Sequence, residues 1–194
     1  LGIAPKLVQD IARAIVAISR DEKVSVLLVE QNSRMALSIS SRAYAMSTGS
    51  VVLTGNSREL MHDDRIKAAY VYNFAKFVEL PGADDKPIRL CVLGRDDLNG
   101  AMQGLNRRVA QGRELIVRNN VALDQAKDCA IVFVGEAEAR LLPAAARQLG
   151  SASVLLVSDA RHAVDQGAHL SLVFNDDRVE FEVNLQHLQK SGIK

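Results

Sequence analysis

The chain contains no run approaching the roughly 18 apolar residues that a membrane-spanning helix requires, so direct insertion into a bilayer is not expected. It also lacks the Gly-x-x-x-x-Gly-Lys-Ser/Thr loop whose backbone cradles nucleotide phosphates. Only two cysteines are present, Cys91 and Cys129, and the absence of a Cys-x-x-Cys pair disfavours thioredoxin-like catalysis. Charge of one sign is missing too. Residues 1–70 carry nine basic and seven acidic groups, and residues 71–194 carry fifteen and sixteen. Neither half has the basic field that nucleic acid binding needs. No linker rich in Gly, Ser or Pro divides the chain. The opening, Leu1-Gly2-Ile3-Ala4-Pro5, has no Met and no charged-then-apolar secretion signal. It reads as a piece of something longer, and as it stands the expected compartment is the cytoplasm.

What is present suits a globular protein: 48% hydrophobic residues with 24% charged ones can build a core. In the first part, Pro5 followed by Leu7, Val8, Ile11, Ala14, Ile15 and Ile18 predicts a helix of about 15 residues. The continuous apolar run at 24–29 predicts a parallel strand buried on both faces. A helix capped by Asn32 or Ser33 is expected through Ser41. A hairpin should join residues 44–46 to 51–53, and a short helix should follow Ser57.

From residue 64 onward, Ile66, Ala69, Tyr70, Asn73, Phe74 and Phe77 mark one helical face, with Lys67 and Lys76 directed elsewhere. Leu80-Pro81-Gly82 ends that helix. Strands are expected at 88–93, 115–117, 130–134, 154–157, 170–174 and 179–183, with helices at 98–105, 137–149 and 184–189. This alternation predicts an α/β fold, a mostly parallel sheet sandwiched by helices, closed by an antiparallel hairpin around Asn175-Asp176-Asp177-Arg178.

Chemistry-bearing residues are few. The four histidines are scattered; Asp159, His162 and Asp165 form a weak acid–base or metal cluster at best, and a solvated helix face accounts for them more simply. No metal or cofactor is expected. Gly94-Arg95-Asp96-Asp97 and Gly100 follow a strand, but the spacing is not that of a dinucleotide fingerprint. The aromatics Tyr70, Phe74 and Phe77 suit core packing at helical spacing, with an exposed part available to a partner.

Two sets of words carry family resemblances. Leu1-Gly2-Ile3-Ala4-Pro5, Leu28-Val29-Glu30-Gln31-Asn32 and the stretch from Ser47 to Gly55 resemble the C-terminal third of LivF-type branched-chain amino-acid ABC transporter ATPases. The resemblance covers almost all of residues 1–70 and places Gln31 at the switch position. Without the phosphate loop and the Mg²⁺-binding carboxylates that position as a remnant is inactive. The words at 67–79, Leu90-Cys91-Val92-Leu93-Gly94, 129–135, 154–159 and 180–185 resemble the YfiR family, in order, over residues 64–194.

The second resemblance implies a non-enzymatic periplasmic domain that represses a membrane diguanylate cyclase by binding its periplasmic sensor domain. It also implies a thiol-sensitive Cys91–Cys129 disulfide, where the residues alone suit two buried thiols equally. Closing a loop of about 39 residues would stabilise the fold by roughly 4 kcal/mol. The domains are therefore read as a truncated ATPase segment, 1–63, and a YfiR-like domain, 64–194. Two other readings stand beside this one: an inactive fragment of an ABC transporter ATP-binding subunit, and an artefactual fusion of the two at Lys67-Ala68-Ala69-Tyr70, which suits both families.

Overall fold

A computed structural model describes residues 5–30, 33–47, 49–60, 63–80, 86–150, 152–175 and 178–193. It divides into two compact units, residues 1–62 with 175–179 and residues 63–174 with 180–194.

The first unit opens with α1, Pro5–Asp21. Its apolar stripe is largely uncovered: Ala12 is buried, whereas Leu7, Ile11 and Ile18 are exposed. The run at 24–29, expected as a doubly buried strand, is neither strand nor helix, and Leu27 and Val29 are 87% and 91% exposed. A parallel strand is held only by neighbours on both edges and by layers on both faces, and among the described residues this segment has neither. The sequence expectation is corrected there. Next come α2 (Ser33–Ile39), β1 (Arg42–Ser47), β2 (Ser50–Asn56) and α3 (Ser57–Leu60). β1 and β2 pair antiparallel, and Gly49 takes a left-handed conformation in their turn. Ser57 is buried, with its hydroxyl 2.8 Å from that of Ser40, and Leu60 closes over Gly55.

The second unit begins at α4, Asp64–Phe77. Asp63 caps it by accepting the Arg65 N–H at 2.8 Å, and Asp64 in the first turn complements the helix dipole. The buried face is Ala68, Val71, Phe74 and Ala75, rotated from the expected one, and Phe77 is 77% exposed. Small alanines let the helix approach the sheet closely, while Tyr70 and Tyr72 stay only partly buried at the rim. Tyr72 donates to the Val109 carbonyl at 2.7 Å.

The remaining strands are β3 (Ile88–Leu93), β4 (Val109–Ala110), β5 (Arg113–Val121), β6 (Ile131–Val134), β7 (Leu155–Ser158), β8 (Leu170–Asn175) and β9 (Arg178–Val183). Among them lie α5 (Leu142–Leu149) and, at the end, α6 (Leu185–Ser191), with 3-10 turns at Met102–Leu105, Leu123–Asp128 and Glu136–Leu141. The seven strands form one mixed sheet in the order β4-β5-β3-β6-β7-β8-β9. β3 pairs in parallel with both β5 and β6, β6 with β7, and β7 with β8, whereas β4 and β5 run antiparallel.

Alternation along the strands separates two layers of core. Leu90, Val92, Ile131, Phe133, Leu155 and Val157 pack with the α4 residues. Cys91, Leu93, Val132, Val134 and Leu156 pack with Leu142, Ala145 and Leu149 of α5.

Two expected helices are reduced. Over 98–105 only a 3-10 turn forms, because Asn99 and Gly100 both take positive φ. The 137–149 helix is broken at Glu138 (φ −111°, ψ 17°) and restarts at Leu142, with Pro143 in its first turn.

Candidate functional site

β3 is the first strand of the sheet in sequence but lies inside it. The chain leaves β3 toward β5 on one side and returns to β6 on the other. In open α/β sheets the crevice at such a reversal, outside the carboxyl ends of the strands, is where ligands bind. Here it is bordered by the loops that follow β3, β6 and β7.

After β3, Gly94 turns the chain at φ +69°, Asp96 accepts the Leu98 N–H at 2.9 Å, and Asp97 accepts the Ala137 N–H at 3.0 Å. After β7, Asp159 accepts the Glu136 N–H at 2.8 Å and the Lys67 ammonium at 2.7 Å. Lys67 also lies 3.9 Å from Asp64, whose other oxygen accepts from Asn99 at 2.8 Å. The backbone N–H groups of Glu136 and Ala137 are therefore taken by the protein's own carboxylates. This occupation, together with the spacing, speaks against a phosphate of a dinucleotide in the crevice.

The cluster is tightly built. The Asp159 side chain is 1% exposed, and burial raises its carboxyl above the ordinary range. Lys67 opposes that shift, and the neighbouring Asp97 charge adds to it. A Cβ on Gly135 would sit 2.2 Å from Asp97 Oδ1, so only glycine admits this carboxylate. Among the described residues, Asp97 Oδ1 is buried without a hydrogen-bond partner.

Cys91, in the middle of β3, is disulfide-bonded to Cys129, with Cα atoms 6.0 Å apart. Cys129 ends the 3-10 turn Leu123–Asp128, just before β6 pairs with β3. Both cysteines are buried in the α5-side core. Gln31 lies outside the described residues.

The remaining candidates part company. Asp159 faces Lys67, while His162 pairs with Asp165 at 3.7 Å on an exposed turn, so the three do not assemble. Among the described residues no group of three or more metal-capable side chains exists. Phe74 stacks edge-on against Phe181 with ring centres 5.6 Å apart, a packing contact rather than a binding box.

Two features escaped the sequence reading. Lys67 was expected to point away from the fold, and only tertiary structure brings it to a residue 92 positions later. His169, one of the scattered histidines to which the sequence gives no role, is 3% exposed. Its signal was available in the alternation His169, Leu170, Ser171, Leu172, where successive side chains enter opposite cores.

Comparison with known proteins divides the chain as well. Over 71 residues it is 37% identical to the high-affinity branched-chain amino acid transport ATP-binding protein BraG of Pseudomonas aeruginosa, covering 37% of this chain and 30% of that protein. It is 31% identical over 70 residues to the lipopolysaccharide export system ATP-binding protein LptB of Haemophilus influenzae, covering 36% and 29%. It is 35% identical over 65 residues to LivF of Archaeoglobus fulgidus, a probable branched-chain amino acid transport ATP-binding protein, covering 34% and 28%. The chain thus spans less than a third of the length of each of these ATPases. Among the described residues no helix is long and apolar enough to cross a membrane. The YfiR/HmsC-like family matches residues 64–194, well over half of the sequence and the whole of the disulfide-bonded α/β sheet, and the chain belongs to that family.

Proposed function

We propose that residues 64–194 form a non-enzymatic regulatory domain that represses a membrane diguanylate cyclase by binding its periplasmic sensor domain. The observation that carries this reading is the family match over that span. The buried disulfide between β3 and the entry to β6 supports it, because such bonds persist in oxidising compartments. On this reading residues 1–63 are a truncated ATPase segment that adds no catalysis, and Cys91–Cys129 couples the domain's competence to thiol state. In the crevice, Lys67 and Asp159 are engaged with one another, and Asp159 and Asp97 accept from the backbone N–H groups of Glu136 and Ala137.

The test is export of the full chain, fused to a secretion signal, into a periplasm facing the cognate cyclase. Cyclic di-GMP should fall, and a Cys91→Ala/Cys129→Ala variant should repress less. Unchanged cyclic di-GMP with correctly exported, folded protein sinks the proposal.

A second reading, an inactive remnant of an ABC transporter ATP-binding subunit, draws on the likeness to BraG and LivF. It is supported if the full chain co-purifies with a branched-chain amino acid permease and not with a cyclase sensor domain. Single-molecule sequencing across the codons for Lys67–Tyr70 tests the third possibility, an artefactual fusion.

A further inference from the structure

On the sheet face opposite α4, a cavity of about 210 Å³ opens between α5, the facing strand β7 and α6. Its walls are Ala146, Leu149 and Leu156 on the apolar side and His169, His187 and Lys190 on the polar side. Three nitrogen-bearing side chains thus converge on it, and among the described residues its lining includes no carboxylate.

The histidines are positioned by backbone. His169 pairs with Leu156 through its own main-chain N–H at 2.9 Å, and its ring Nδ1 accepts the Leu156 N–H at 2.9 Å. The ring proton therefore resides on Nε2, on the opposite edge, as a donor. His187 lies in the first turn of α6, which Asn184 caps by accepting the His187 N–H at 3.1 Å. The two rings meet edge to face with centres 6.4 Å apart. Lys190 follows one turn later on the same helix. Gly167, at φ +103°, completes the wall; a Cβ there would lie 2.4 Å from that of Ala146.

We infer that this cavity is a binding site for a small organic carboxylate with a compact apolar body. The apolar body would lie against Leu149 and Leu156, and the carboxylate would accept from His169 Nε2–H while Lys190 balances its charge. Concave, mostly apolar sites with a few convergent polar groups are the usual form of small-molecule pockets. Burial holds the His169 imidazole neutral, lowering its pKa to about 4 with a contribution from His187, so it serves as a hydrogen-bond donor without needing to be charged. This inference does not depend on the repression reading, since it concerns only what the cavity holds.

The test uses the full chain, ¹⁵N-labelled, titrated with benzoate and separately with benzamide, its neutral counterpart. Benzoate should shift the amide resonances of Leu149, Gly150, Gly167 and Lys190 saturably. Benzamide should bind about tenfold more weakly, the loss expected for a charge-assisted hydrogen bond. Lys190→Gln, a change at an exposed position, should weaken benzoate several-fold, and Ala146→Leu, which fills the cavity, should abolish binding. Absence of saturable shifts at these amides overturns the inference. So does equal affinity for benzamide and benzoate, or undiminished benzoate binding by Lys190→Gln.

Discussion

The ammonium of Lys67 on α4 lies 2.7 Å from the carboxylate of Asp159 at the end of β7, joining residues 92 positions apart. One partner is almost wholly buried and the other about a quarter exposed. Removing the cation leaves a buried charge without its counter-ion, and that asymmetry sets the consequences.

Lys67→Met should therefore destabilise the chain by about 2 kcal/mol at neutral pH, less than a fully buried pair because Lys67 keeps partial contact with water. The Asp159 carboxyl is raised by burial, so the folded state holds that proton more tightly than the unfolded one. Between the ordinary value of 3.8 and the raised one, stability falls as pH rises. Lys67→Met should extend that window upward, and Lys67→Met/Asp159→Asn should recover much of the loss. Urea melts across pH decide this; a Lys67→Met cost that Asp159→Asn does not relieve would show that the charge is not the cause.

For Cys91 and Cys129, peptide mapping of exported protein under non-reducing conditions should return one cross-linked peptide pair. Cys129→Ala should cost about 4 kcal/mol in urea unfolding, from the regained freedom of the unfolded loop. Since both residues are buried, thiols of the reduced protein should alkylate only as it opens. Free alkylation of folded, exported protein would refute the pairing.

His169 gives a second pH signature, of the opposite sign. Its folded pKa of about 4 lies below the ordinary 6.5, so its contribution is present above pH 6.5 and is lost as pH falls toward 4. Between pH 8 and pH 5 the loss should amount to about 2 kcal/mol. His169→Asn, which keeps an acceptor for the Leu156 N–H but cannot take up the proton, should flatten that slope. An unaltered slope in the variant assigns the acid sensitivity to another group.

Residues 63–194 expressed alone should be soluble and melt cooperatively, since every buried residue given for the two core layers lies within them. Residues 1–62 alone should aggregate or remain unfolded, because Leu27, Val29 and the α1 stripe are left exposed. Circular dichroism melts and size-exclusion profiles of the two pieces test this. A stable monomeric 1–62 would contradict its reading as a relic.

Much of the second unit was legible because buried strands announce themselves. The runs at 88–93, 130–134 and 154–157 are apolar on both faces but for Arg89, and they become β3, β6 and β7 with shifts of a residue or less at their ends. The same rule misled at 24–29, where composition suits a strand but no strand among the described residues pairs with it. On α4 the aromatic residues outweighed the alanines in the reading, whereas closeness of approach favours the small side chains. β4, two residues long, is fixed by its pairing with β5 rather than by any pattern of its own. The site was least legible: Lys67, Asp97 and Asp159 come from three separate segments, and no spacing within one element reveals their meeting.

The cap on α4 has a bearing on where the fold's edge lies. Asp63 supplies the helix with its own first-turn acceptor, and the residues α4 buries, Ala68, Val71, Phe74 and Ala75, all lie beyond it. The helix start is thus specified locally. Asp63 itself stands one residue before the span that matches the YfiR/HmsC-like family, so the first helix of that span takes its cap from the residue that precedes it. A chain cut at residue 64 would lose that acceptor for the Arg65 N–H, so one residue beyond the family span is part of what the fold needs at its edge.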